Sequence, residues 1–194
     1  GRLAVISRLA WIKRQRKRFH AQERQSAREY VSRESHYFLG RRYLLNVIEQ
    51  GGPSRVSRKG NKVLEFQIPV GASRGKRGQI LLTGYGENLA SLVPPLIAKW
   101  EAKMGMTVES WGVRRMKTKW GSCNSADRRI WLNLELAKKP VRCLEYILVH
   151  EMVHLIERRH NDRYIALMNQ FLPSWRKCRD ELNHAPLAHE MWSY

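Results

Sequence analysis

The sequence predicts an α+β fold, and three patterns predict it. Short segments with alternating or β-branched apolar residues occupy 37 to 48, 62 to 70, 107 to 116 and 129 to 136. Helical apolar spacing fills 79 to 104 and the stretch after Pro140. Clusters of Gly and Pro separate these segments.

The chain opens on a segment, 4 to 32, that mixes Ile6, Leu9, Trp11, Ile12, Phe19 and Tyr30 with many charges and holds no Gly or Pro. A long basic N-terminal helix is expected there. The runs YFLGRRYLLNVI (37 to 48) and KVLEFQIPV (62 to 70) follow, separated by Gly51, Gly52, Pro53 and Gly60. They predict a small antiparallel β unit. GASRGKRG (71 to 78) reads as a flexible link. The helix after it is expected to kink or restart at Pro94 and Pro95, because proline lacks the N–H and crowds the preceding turn.

Residues 107 to 116 and 129 to 136 read as strands flanking the loop KTKWGSCNSADR. In RIWLNLEL, residues Ile130, Leu132, Leu134 and Leu136 share one face and Trp131, Asn133 and Glu135 the other. This is the pattern of a half-buried edge strand, to which an extended polypeptide could add by backbone pairing. Pro140 suits the first turn of a helix whose apolar face runs through Leu144, Ile147, Leu148, Met152 and Ile156.

Charge is distributed unevenly. The 194 residues carry 36 Lys/Arg against 17 Asp/Glu, and the first 60 alone hold 15 against 4, whereas 141 to 194 balance at 7 and 7. Such a surplus favours polyanions, so nucleic acid bound through the basic N-terminal region is a candidate partner. No apolar run reaches membrane-spanning length, and the first thirty residues lack the apolar core of a signal peptide. Cys123, Cys143 and Cys178 are odd in number and contain no C-x-x-C pair, which does not suit a disulfide framework. A cytoplasmic protein is expected.

Chemistry concentrates in one helix. His150, Glu151 and His154 complete H-E-x-x-H; a spacing of four puts both imidazoles on one face, about 6 Å apart along the axis, where two ring nitrogens can meet one ion. A hydrolytic zinc wants a third protein ligand and one open position, and His160 is the candidate. On an unbroken helix His160 would lie about 240° round from His154 and about 9 Å further along, so the helix must end between Ile156 and Arg159. Metzincins turn there on a glycine, where this chain has Glu157; Asn161 or a strained arginine is expected to make the turn instead. Glu181 and Glu190, with His184 and His189 behind them, compete for the third position. Glu151 is the candidate general base, activating a zinc-bound water for peptide hydrolysis, and Tyr164, His184, His189 or an arginine is the candidate oxyanion donor. The competing reading is a DNA-binding accessory protein with a mainly structural zinc site and no proteolysis.

The order KTKWGSCN, RIWLNLELAKKP, LEYILVHEMVHLIERRHNDRY, FLPSW and HEMW resembles the YgjP-like zinc metallopeptidases, relatives of SprT-like and WLM proteases. The resemblance implies a zincin-like metallopeptidase domain over 79–194, after a basic helix and β unit over 1–78. It implies one zinc ion on His150, His154 and His160, with Glu151 as base and a polypeptide substrate. Through those relatives it also makes DNA-associated proteins candidate substrates.

Overall fold

The structure is a computed structural model that describes residues 28–184, and within them the chain from Glu29 onward forms one compact unit. Most of the expected basic helix, 4 to 27, lies outside the described residues. At its far end, residues 28–32 are not helical: the Glu34 carboxylate accepts the N–H of Glu29 and Tyr30 at 3.0 and 2.6 Å, and Tyr30 adopts φ 56°. A side chain has captured the donors that a helix would have used.

Four strands make the first sheet: β1 (Ser35–Phe38), β2 (Arg41–Glu49), β3 (Arg55–Lys59) and β4 (Val63–Ile68), in the order β1-β2-β4-β3. The β unit is therefore mixed rather than antiparallel, since β2 and β4 run parallel while the other two pairs are antiparallel. The cause is β3, a strand within the stretch expected to be only a turn-rich connection. Its sequence RVSRK turns a single apolar residue, Val56, into the core and keeps its charges exposed or part-exposed.

One helix, α1 (Arg74–Met104), begins inside the expected link, and the boundary anticipated between 78 and 79 lies in its second turn. Ser73 caps it by accepting from Lys76 N. Gly84 allows α1 to press on β3, since a Cβ there would sit 2.5 Å from Val56. The helix passes Pro94 and Pro95 without restarting. Both prolines face solvent, where water can take the freed carbonyls, while Leu89, Val93, Ile97 and Trp100 anchor the opposite face.

The second sheet has the order β5-β7-β6, from β5 (Ser110–Arg114), β6 (Gly121–Asn124) and β7 (Arg129–Asn133). β7 is central, parallel to β5 and antiparallel to β6, so the strand RIWLN is no edge. The edges are β5 and β6, and β6 lies inside the expected loop. Chain 134–138 forms a short 3₁₀ helix instead of continuing β7, because the Asn133 carboxamide caps it by accepting from Glu135 N. The outward face expected for Asn133 and Glu135 is accordingly lost, and both are buried.

Helix α2 (Val141–Val153) packs on β6 and β7, followed by α3 (Asp162–Phe171) and α4 (Trp175–His184). Its entry is fixed by the β1–β2 turn: Leu39 N and Gly40 N donate to Ala137 O and Lys138 O, and a Cβ on Gly40 would meet Pro140 at 2.5 Å. Lys99 and Trp100 of α1 both donate to Glu145 of α2, and Arg142 of α2 grips Glu181 of α4 with two bonds of 2.9 and 2.8 Å. One apolar core joins both sheets and the helices. Among the described residues no helix is long and apolar enough to cross a membrane, and the three cysteines are free thiols.

Candidate metal centre

The site forms where α2 ends. His150 and Glu151 lie in its last turn, and His154 is its C-cap, so the helix stops sooner than the expected span of 156 to 159. Tight turns close it, with Leu155 N bonded to Met152 O and Ile156 N to Val153 O at 3.0 and 2.9 Å. No residue of the turn needs a left-handed backbone. Glu157 occupies the position of the missing glycine without strain: its carbonyl faces His154 Nδ1 at 3.0 Å, and its carboxylate accepts Arg159 N. Asn161 does not make the turn but caps α3, accepting Tyr164 N.

This early ending brings the third histidine back. His160 Nε2 lies 3.1 Å from His154 Nε2 and 3.3 Å from His150 Nε2, and suitable ligand atoms of all three fall within 4.8 Å of one another. Bonds of about 2.0–2.1 Å from zinc to nitrogen, in a tetrahedron, set nitrogen–nitrogen edges of about 3.3 Å, so these residues fit a divalent ion. The two helix histidines are oriented from behind, His154 Nδ1 by the Glu157 carbonyl and His150 Nδ1 by the Tyr164 hydroxyl at 2.5 Å. A ring that keeps its proton on Nδ1 presents a lone pair on Nε2. Burial, joined by the neighbouring histidines, pushes His150 down to about 3, and burial lowers His154 as well; both imidazoles stay neutral, the form that ligates.

Of the other candidates, Tyr164 wedges against all three histidine rings at centroid distances of 4.6 to 5.4 Å. Glu181 is committed to Arg142. His189, Glu190 and the side chain of His184 lie outside the described residues.

Glu151 stands beside the histidines at the floor of a cleft of about 530 Å³, lined also by Lys119, Gly121, Cys123, Tyr146 and Arg158. Gly121 was not singled out in the sequence, yet it makes the room: a Cβ there would lie 2.6 Å from Glu151 Oε1. Burial pushes the Glu151 carboxyl up to about 8, with Lys119 pulling the other way. Burial also raises the Cys123 thiol to about 11, and the Glu151 charge adds to it.

A carboxyl raised above its ordinary 4.5 favours the folded chain while protonated. That contribution is complete below about pH 4.5 and is lost as pH climbs through about 8. Glu151→Gln is neutral throughout. In chelator-treated protein its melting temperature should therefore exceed the wild type's by several degrees near pH 9 and converge with it near pH 4. Equal melting at both ends would mean that water reaches the carboxylate freely.

The loop before β6 is held by one buried side chain, also read wrongly as outward-facing. Asn133 Nδ2 donates to Met116 O and Lys119 O at 2.8 and 2.7 Å, while Asn133 N donates to Trp120 O. This clamp sets Lys119 and Trp120 against the cleft. Asn133→Asp keeps the shape but turns both donors into acceptors facing carbonyls, and should cost about 3 kcal/mol in urea unfolding. A loss under about 1 kcal/mol would mean that the loop holds itself.

A family model described as YgjP-like, metallopeptidase domain, matches residues 2–185. No curated protein matches the chain.

Proposed function

We propose, on the premise that the chain belongs to the YgjP-like metallopeptidase family, that it is a zinc peptidase in which His150, His154 and His160 hold one ion and Glu151 serves as general base. The observation that carries this reading is the convergence of three Nε2 atoms next to a buried carboxylate at the floor of an open cleft.

Zinc, when bound, polarises a carbonyl and acidifies water. The rest falls to the chain's own groups. Glu151 takes a proton from the attacking water as the carbon–oxygen bond forms, and passes it to the amine nitrogen as the carbon–nitrogen bond breaks. The Tyr164 hydroxyl is engaged with His150 Nδ1, which suits it to hold that ring in place; it is less suited to act as oxyanion donor. Gly121, Ser122 and Cys123 line the cleft, and β6 ends its sheet, so β6 replaces RIWLNLEL as the strand to which an extended substrate adds. DNA-associated proteins stay candidate substrates through the basic first sixty residues, and cleavage accelerated by duplex DNA would identify them.

The test is zinc-dependent cleavage of an unfolded protein such as casein. Chelated protein should be inert and regain activity with one zinc per chain, read by gel and by elemental analysis. Casein left intact by fully loaded protein would overturn the peptidase reading.

A further inference from the structure

We infer that the cleft selects polypeptides carrying carboxylate side chains close to the bond that is cut; this rests on the peptidase reading above. Three cations stand around the cleft, each on a different element: Lys119 on the loop clamped by Asn133, Arg158 on the turn after α2, and Arg179 on α4. Glu151 is the single carboxylate among the lining residues, and it lies buried at the floor. Lys119 and Arg158 are exposed and, among the described residues, neither is paired with an acid. Arg179 is partly neutralised by Asp180 at 3.1 Å and rests on the Trp175 ring.

The fields of these groups overlap where a substrate backbone would run. Lys119 acts on Glu151, and Arg158 acts on Cys123 of the bordering strand. A polypeptide bound along β6 would thus place the side chains flanking its reacting carbonyl among positive charges, of which Arg179 alone is partly offset by an acid. Acidic side chains gain there and basic ones are repelled. The cations enclose a small concavity rather than forming a stripe, which favours an acidic peptide over nucleic acid.

Each exposed charge pair contributes modestly, so the combined preference should be about tenfold per charge class. The test uses the zinc-loaded chain and fluorogenic peptides identical except for Glu, Gln or Lys on either side of one scissile bond. We expect kcat/KM to fall about tenfold from Glu to Gln and again from Gln to Lys at low salt, the spread narrowing as salt rises to about 0.5 M. The double variant Arg158→Glu, Arg179→Glu should reverse that order, read as the ratios of kcat/KM among the three peptides within each protein. Equal rates for all three peptides, or an order that survives the double variant, would overturn the inference while leaving the peptidase intact. Duplex DNA that blocks the Gln peptide in the wild type but not in the double variant would also overturn it, assigning the cations to nucleic acid. Anisotropy of the same labelled peptides on Glu151→Gln protein ranks binding independently, so the inference stands or falls even if no peptide is cut.

Discussion

Replacing Glu151 by Gln should lower peptide cleavage by about 10²–10⁴-fold while the bound zinc and the fold remain. The amide matches the carboxylate in shape but cannot take a proton from water. Its backbone place in α2, between two histidines that gather with His160, is unchanged by the swap. Kinetics with elemental analysis on the same sample separate the outcomes: activity lost with metal retained assigns Glu151 to proton transfer. Activity retained would move the base elsewhere.

Gly121→Ala should be nearly as damaging, although it replaces neither a histidine nor a charged residue. The added carbon would sit 2.6 Å from Glu151 Oε1 and 2.8 Å from both Glu151 Cγ and Ile147 Cγ2. Ile147 belongs to the buried core and cannot withdraw freely, so the Glu151 side chain must move. Displacing a catalytic carboxylate by about 1 Å costs on the order of 100-fold in rate, and the overpacking costs about 1–3 kcal/mol in stability. Zinc content should be unchanged, because the three atoms nearest this carbon belong to Glu151 and Ile147 rather than to a histidine. Rates within a few-fold of the wild type would show that Glu151 has slack.

Much of the site could be read from spacing alone. Four residues along one helix face bring His150 and His154 together whatever the tertiary context, and the alternation around Ile130 and Leu132 places β7 against the core. Less legible was everything that depends on one side chain answering a distant backbone. Asn133 alternates in sequence as though it faced water, yet its amide clamps a loop fourteen or more residues earlier in the chain. β3 offers a single apolar residue to the core, too little for a pattern to register. Pro94 and Pro95 read as breakers of α1, but both face solvent, while Gly84 makes a helix–sheet contact that no local pattern announces. His160 needed a reversal of the chain, and short-range turns supplied it through residues with no special conformational signature.

The most direct measurement is X-ray absorption at the zinc edge of stoichiometrically loaded protein. Three imidazole nitrogens and one further light atom at about 2.0–2.1 Å are expected. A sulfur neighbour at about 2.3 Å, or fewer than three imidazoles, would contradict the shared metal centre of His150, His154 and His160.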